Sequence, residues 1–205
     1  MMTIDIETTG LCPSPTPAML ANKETEDYIV AIGCLDEFGI NIFSSYYDTY
    51  KISLEAAEKD CLRHFGDYFL QLDEDTLLSY NGVDFDIPFI VSKLIKYGGE
   101  TNANLSKLLL ETNHIDLMGF SKLIAGRRLA KDDACRKLGN LYVPRKSEGL
   151  WNARIYKNPQ LLSENEHLEM LQHNATDLTA TTRLYNVVKQ FQDFAEWRVM
   201  EAKPP

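Results

Sequence analysis

The sequence has no apolar stretch long enough to cross a membrane, and no basic segment followed by an apolar one opens it. We therefore expect neither a membrane partner nor a secretory signal. The 205 residues are 44% hydrophobic and 25% charged, which is typical of a soluble globular protein with a real core. This length predicts a single domain over 1–205, with loops or small insertions at 11–27 and 139–160.

Cysteine is also scarce. The four cysteines, Cys12, Cys34, Cys61 and Cys135, are widely separated, and no C-x-x-C pair occurs. This spacing suggests neither a disulfide framework nor a zinc knuckle. Reduced thiols and a cytoplasmic location are the simplest expectation.

The sequence lacks an excess of basic residues, because 21 Lys and Arg are outnumbered by 30 Asp and Glu, which gives a formal net charge of −9. This charge argues only weakly against a nucleic-acid partner. A single site needs only a local basic rim, and bound cations reverse the local charge.

The first ten residues hold the clearest pattern: Thr3, Asp5 and Glu7 alternate with Ile4 and Ile6. Strict alternation predicts a β-strand, in which Asp5 and Glu7 share one face and the isoleucines enter the core. Two neighbouring carboxylates repel each other unless a cation lies between them, and Mg²⁺ and Mn²⁺ prefer such oxygen ligands. The pair indicates half of a metal site or, equally, a solvated strand edge.

A second acid stands at a predicted strand-to-helix turn. The strand is predicted at Thr76–Tyr80, and the helix at Pro88–Tyr97, because Pro is tolerated in the first turn of a helix. Asp86 then lies near the helix N-terminus, where it is either a metal ligand or a cap, with Asp84 as a nearby alternative.

A third acid lies on the last predicted helix, which opens with the capping box Ser163–Glu166 and runs to about Phe194. His173 and Asp177 are one helical turn apart, on a stripe whose later members are apolar. An acid at the border of buried surface needs a partner. A metal ion and the i,i+4 pairing with His173 both provide one.

The remaining segments predict an ordinary alternation of strands and helices. The segment 140–155 is predicted to be irregular, and its basic residues, Lys146 among them, are interleaved with aromatics. Such a segment either binds a phosphate backbone and stacks bases or is a solvated loop.

The other predicted elements are strands at Tyr28–Leu35, Asn41–Thr49 and His114–Met118, a helix capped by Ser53, a loop at Gly98–Asn104, and helices at Phe120–Ala125 and Asp132–Leu138.

Taken together, these motifs resemble the DEDD group of RNase H-like 3′-to-5′ exonucleases over nearly the whole chain. Asp5 and Glu7 match the first motif of the group, Asp86 the second and Asp177 the third. The first two motifs are most similar to the proofreading domain of family-B DNA polymerases. The run from His173 to Asp177 is more similar to the YprB-type branch of RNase H-like exonucleases.

The resemblance implies an α/β fold, with three antiparallel strands followed by two parallel ones in a five-stranded mixed sheet and helices on both faces. It implies two ions of Mg²⁺ or Mn²⁺, with Asp5, Glu7 and Asp177 around the first, and Asp5 and Asp86 around the second. The expected partner is the 3′ end of single-stranded DNA or RNA. The expected substrate contacts are Thr8, Thr9, Asn81 and Phe85, to which the basic segment adds Lys146.

The last motif departs from the group's pattern. In the DEDD group, either three residues lie between a Tyr and the last acid, or four residues lie between a His and that acid. Here three residues lie between His173 and Asp177, which is the spacing found with Tyr. The imidazole is then either a general base or a group that positions water.

Two alternatives to an exonuclease remain: a nucleic-acid-binding module of the same fold with weak or no turnover, and a structural domain of a larger nuclease or polymerase assembly. The sequence does not identify a protein partner.

Overall fold

The computed structural model describes residues 1–9, 27–44, 53–72, 74–141 and 163–201, with side chains to residue 190. The predicted loops at 11–27 and 139–160 lie almost entirely outside these residues, as does Lys146. The elements, in chain order, are β1 Met2–Thr8, β2 Ile29–Asp36, β3 Gly39–Phe43, α1 Leu54–Phe69, β4 Thr76–Ser79, α2 Asp86–Tyr97, α3 Glu100–Glu111, β5 Asn113–Asp116, α4 Leu117–Ala125, α5 Lys131–Gly139 and α6 Glu164–Glu201.

The five strands form one mixed sheet in the order β3-β2-β1-β4-β5. Strands β1, β2 and β3 pair antiparallel along the chain. Strand β4 then pairs parallel with β1, and β5 pairs parallel with β4. This is the sheet that the resemblance implies, and β1 lies at its centre.

Alternation along β1 places its side chains in two different layers. Ile4 and Ile6 belong to the larger core, which the sheet forms with α1, α2 and α3. On the other face, Thr3 contacts α6, its Oγ1 lying 2.6 Å from Oγ1 of Thr182. A second core lies between β4 and helices α4, α5 and α6. Helices therefore cover both faces, and Asp5 points toward α6.

A buried ion pair fixes the point where the chain enters β2. Lys93 on α2 and Glu58 on α1 are fully buried, and their Nζ and Oε1 atoms are 3.7 Å apart. The same Glu58 oxygen accepts the N–H of Ile29 at 2.6 Å, while the Lys93 ammonium donates to the carbonyl of Asp27. Because removing one partner of a buried pair is strongly destabilising, this contact anchors the start of β2 beside the end of β1.

Most element predictions hold to within a few residues. The predicted strand Asn41–Thr49 is observed as β3 only to Phe43, and its positions 45–49 lie outside the described residues. Two further predictions are wrong. Gly98–Asn104 was predicted to be a loop, but Gly98 and Gly99 take positive φ angles that reverse the chain, and α3 begins at Glu100. Leu117 and Met118 were assigned to a strand, but the strand ends at Asp116, whose carboxylate accepts the N–H of Met118 and caps α4.

Three further expectations concern capping, thiols and membranes. Ser53 caps α1 and Ser163 caps α6, the latter in a box with Glu166, as predicted. Cys34, Cys61 and Cys135 are free thiols in the interior, which agrees with the absence of a disulfide framework among the described residues. Among the helices described, none combines the length and apolarity that crossing a bilayer requires.

Candidate active site

Strand β1 brings Asp5 beneath α6, where an asparagine holds it. The Asn174 Nδ2 donates to Oδ2 of Asp5 at 3.0 Å and to its carbonyl oxygen at 3.3 Å. This close approach depends on Gly33, the β2 partner of Asp5, because a Cβ there would lie 1.8 Å from Oδ1 of Asn174. The asparagine therefore orients the first acid.

The turn before α2 is shaped by Asp116, at the end of β5. Its carboxylate accepts the N–H groups of Asn81 at 2.8 Å and of Val83 at 3.1 Å. Asn81 has a φ of 72°, in the left-handed region that asparagine tolerates better than most residues. Since parallel strands β4 and β5 end at the same edge, Asp116 can tie this turn to the sheet.

Asp86 is the first residue of α2, and it does not cap that helix. The cap position is occupied by Phe85, without a side-chain hydrogen bond. Oδ1 of Asp86 instead accepts the N–H of Ile6 on β1 at 2.9 Å. Asp86 is thus tied to the strand that carries Asp5 and Glu7, and the helix-cap interpretation of Asp86 is wrong.

The environment of Asp86 opposes its charge. Its side chain is only 5% exposed. Burial, followed by the negative charge of Asp5, raises the pKa of Asp86 to about 8, against the weaker opposing effects of Lys131 and of the Ile6 N–H. A carboxyl group with such a pKa is largely protonated at neutral pH until a further cation approaches it.

This pKa predicts how stability changes with pH. In the unfolded chain the pKa of an Asp is about 3.9, so folding takes up a proton between about pH 4 and 8. In EDTA, the contribution of Asp86 to stability is greatest below pH 4 and is lost as the pH rises toward 8. Asp86→Asn keeps an acceptor for Ile6 without the charge, so at pH 8 its melting temperature should equal or exceed that of the wild type.

The measurement is the melting temperature in EDTA from pH 4 to pH 8. Asp84→Asn is the matched control, since Asp84 is exposed and pairs with Arg128 at 3.0 Å on the surface. A melting temperature of Asp86→Asn that lies well below that of the wild type at pH 8 would contradict the prediction.

Helix α6 supplies the last acid and the histidine. Asp177 is 5% exposed. The His173 Nε2 lies 3.7 Å from Oδ2 of Asp177 and 3.9 Å from Oε1 of Glu7, so the imidazole stands between an acid of α6 and an acid of β1. The helix face that carries His173 and Asp177 was predicted correctly, and it is turned toward Glu7 on β1.

A lysine that the sequence analysis overlooked lies at the centre of the site. The Nζ of Lys131, at the start of α5, is 3.0 Å from Oδ1 of Asp5 and 2.8 Å from Oδ2 of Asp177. Burial alone would lower the pKa of Lys131, but these two carboxylates outweigh it and raise the pKa above its ordinary value. The ammonium group is therefore a fixed positive charge between two acids.

The four acids have the donor chemistry of a divalent-cation site. Among the described residues, no cluster of three or more His, Cys, Asp or Glu side chains is already gathered around one point as a metal site. The acids nevertheless provide the hard oxygen ligands that Mg²⁺ and Mn²⁺ prefer, and Asp5 and Asp177 already share one positive group. Asp5, Glu7, Asp86 and Asp177 are the residues that would hold the ions.

The predicted substrate contacts lie around this group. Thr8 ends β1, and the pairing register with β2 shifts between Glu7 and Thr8. Thr9 pairs with Tyr28: its N–H donates to the Tyr28 carbonyl at 2.8 Å, and its Oγ1 accepts the Tyr28 N–H at 2.7 Å. Asn81 and Phe85 are at the two ends of the turn before α2. Their contacts with a substrate remain a prediction, as does that of Lys146.

The fold is similar to part of a solved polymerase structure. The structure of the family B DNA polymerase from the hyperthermophilic archaeon Pyrobaculum calidifontis matches with a TM-score of 0.60 and 15% sequence identity. The match covers 90% of this chain and 24% of the polymerase chain, so the protein spans about a quarter of the length of that relative. At this identity the likeness concerns the fold alone.

The sequence itself gives the family. No curated protein matches it. The family model of the RNase_H superfamily matches residues 2–189, from β1 into α6. This range includes every strand of the sheet and all four acids, and the chain therefore belongs to the RNase H superfamily.

Proposed function

We propose that the protein is a 3′-to-5′ exonuclease that hydrolyses the phosphodiester bonds of single-stranded DNA or RNA with two ions of Mg²⁺ or Mn²⁺. The observation that carries the proposal is the convergence of Asp5, Glu7, Asp86 and Asp177 from three separate elements. The Lys131 ammonium offsets part of this charge, but four acids gathered in one place still oppose folding, and bound cations would explain why the chain brings them together.

Each acid has a role in this proposal. Asp5, Glu7 and Asp177 would hold the first ion, and Asp5 with Asp86 the second. When bound, such a pair of ions activates the attacking water and stabilises the leaving oxygen. Asn174 keeps the Asp5 carboxylate turned toward α6, and the Ile6 N–H keeps Asp86 turned toward β1. The chain thus fixes the carboxylates before any ligand arrives.

His173 would accept the proton of the attacking water or position that water. Its Nε2 is within 4 Å of both Glu7 and Asp177, so it stands beside the proposed first ion. Thr8 and Thr9 would contact the terminal nucleotide. Because the Thr9 N–H is used by Tyr28, the backbone of Thr8 is the better candidate for a direct contact.

One observation favours a second candidate, a nucleic-acid-binding module with weak or no turnover. The Lys131 ammonium already stands between Asp5 and Asp177, where it satisfies both charges. If it cannot be displaced, no ion binds there. Calorimetric titration of the EDTA-treated protein with Mn²⁺ separates the two candidates, because only the exonuclease requires the ions to bind.

The test of the proposal uses 5′-labelled single-stranded DNA and RNA, with Mg²⁺, Mn²⁺ or EDTA, and resolves the products by length. We expect a ladder that shortens from the 3′ end and disappears with EDTA, with Asp5→Ala and with Asp177→Ala. Asp67→Asn, which replaces an exposed acid of α1 that pairs with Arg63, should retain activity. Cleavage that survives both EDTA and Asp5→Ala would overturn the proposal.

A further inference from the structure

A continuous exposed segment projects next to the site. Every residue from Lys122 to Arg128 is exposed, and we call this segment the α4 tip. Leu123 is 80% exposed and Ile124 58% exposed. These two adjacent aliphatic side chains form a small apolar patch that is accessible to a partner.

The α4 tip is nonetheless firmly anchored at both ends. Ser121 and Leu129, which flank it, are buried, and the hydroxyl of the buried Tyr80 lies between them. It donates to the Leu129 carbonyl at 2.7 Å and lies 3.3 Å from Oγ of Ser121. Gly126, with a φ of 69°, ends the helix and turns the chain back toward α5. The α4 tip is therefore exposed even though the fold holds both of its ends in place.

The charge of the α4 tip is opposite to that of the chain. Its seven residues include Lys122, Arg127 and Arg128 and no acid, whereas the whole sequence has a net charge of −9. Arg128 pairs with Asp84, and both side chains remain more than half exposed. A local cluster of three cations in an acidic protein favours a polyanionic partner.

The position of the α4 tip relates it to the site. Arg128 contacts Asp84, two residues before Asp86, and three residues after Arg128 the Lys131 ammonium lies between Asp5 and Asp177. The tip therefore adjoins the acids through both the chain and a side-chain contact. A strand whose end reaches the acids would pass close to it.

We propose that the α4 tip binds the single strand of nucleic acid whose 3′ end enters the site. Lys122 and Arg127 contact phosphates, while Leu123 and Ile124 pack against bases. Aliphatic side chains are used in this way as wedges between base steps, and cationic side chains provide affinity that depends on salt. This inference rests on the proposed function, since it assigns a binding surface to the same substrate.

The experiment measures binding without catalysis. Fluorescein-labelled single-stranded DNA and RNA are titrated in EDTA, by anisotropy, at several salt concentrations. The double variant Lys122→Gln/Arg127→Gln should lose affinity on the order of ten-fold, and its slope of log K against log salt should fall by about 1.4, since each phosphate contact contributes about 0.7. Leu123→Ser/Ile124→Ser should lose affinity several-fold with an unchanged slope.

Helix α3 offers matched controls. Lys107→Gln and Leu110→Ser replace an equally exposed cation and aliphatic residue there, and both should bind as the wild type does. If both tip variants bind like the wild type with the same slope while the wild type digests the strand, the tip serves another partner, such as a protein, and this inference is overturned. A wild type that neither binds nor digests single strands overturns the proposed function as well.

Discussion

Replacing Lys131 with methionine is expected to lower the melting temperature of the metal-free protein by about 6–12 °C. The ammonium lies between Asp5 and Asp177, and the three side chains keep only 8–16% of their exposure. Removing one partner of a buried charge pair costs about 3–5 kcal/mol, and the remaining exposure favours the lower end, about 3 kcal/mol. In a domain of this size each kcal/mol corresponds to about 2–4 °C.

Divalent cations should reverse this loss. Within the proposed function, an ion at Asp5 and Asp177 must displace the ammonium in the wild type but not in Lys131→Met. Saturating Mn²⁺ should therefore raise the melting temperature of the variant more than that of the wild type, and calorimetry should give the variant a lower Kd.

The control for this prediction is on the same helix. Lys137→Met removes an exposed lysine of α5 that pairs with Asp133 at 3.9 Å. Exposed pairs contribute about 0–1 kcal/mol, so its melting temperature should hardly change. Equal melting temperatures of Lys131→Met and the wild type in EDTA would show that the ammonium does not stabilise the acids.

The second large effect is expected for His173. General-base catalysis contributes about 10²–10⁴-fold, so His173→Ala should slow the chemical step by about that factor if the imidazole takes the proton. Affinity for a single strand in EDTA should change little, because the residue acts in the transition state. Single-turnover rates and anisotropy measure the two quantities separately.

His173→Tyr distinguishes the two roles of the residue. A tyrosine can orient a water molecule but does not accept a proton at neutral pH, so retained activity would favour positioning. His64→Ala is a suitable control, since His64 is an exposed residue of α1 beside Asp60. If His173→Ala turns over at the wild-type rate across the pH range, His173 has no part in the reaction.

Features of this chain that depend on neighbouring residues could be predicted from its sequence, whereas contacts between distant residues could not. Alternation at Asp5 and Glu7 and the one-turn spacing of His173 and Asp177 are local rules, and both side-chain pairs point where those rules place them. The cap at Ser53, the capping box at Ser163 and the succession of strands along the chain follow from equally local patterns, whereas the order of the strands in the sheet was implied by the resemblance. Two glycines at Gly98 and Gly99 gave a false loop, because they reverse the chain over two residues and do not extend it.

Lys131 and Asp116 could not be identified in this way. A lysine in the first turn of a short helix is ordinary by composition, and it reaches Asp5 only because the second core packs α5 against α6. Asp116 was read as one residue of a strand, yet it holds a turn 35 residues earlier in the chain. Its position, an acid directly between a strand and a helix, is the signal that could have marked it as a cap.

The contact between β1 and α6 also affects when the site appears during synthesis. Asp5 is made first, but Asn174, which orients it, follows 169 residues later. At about 5–20 residues per second, the ribosome needs roughly 8–34 s to add that length of chain. Until α6 emerges, this helix does not cover the face of β1 that carries Asp5, and the amide that orients the Asp5 carboxylate is absent. A nascent chain thus carries Asp5, Glu7 and Asp86 before Asn174 and Asp177 exist, so the proposed site can be complete only after α6 has been made.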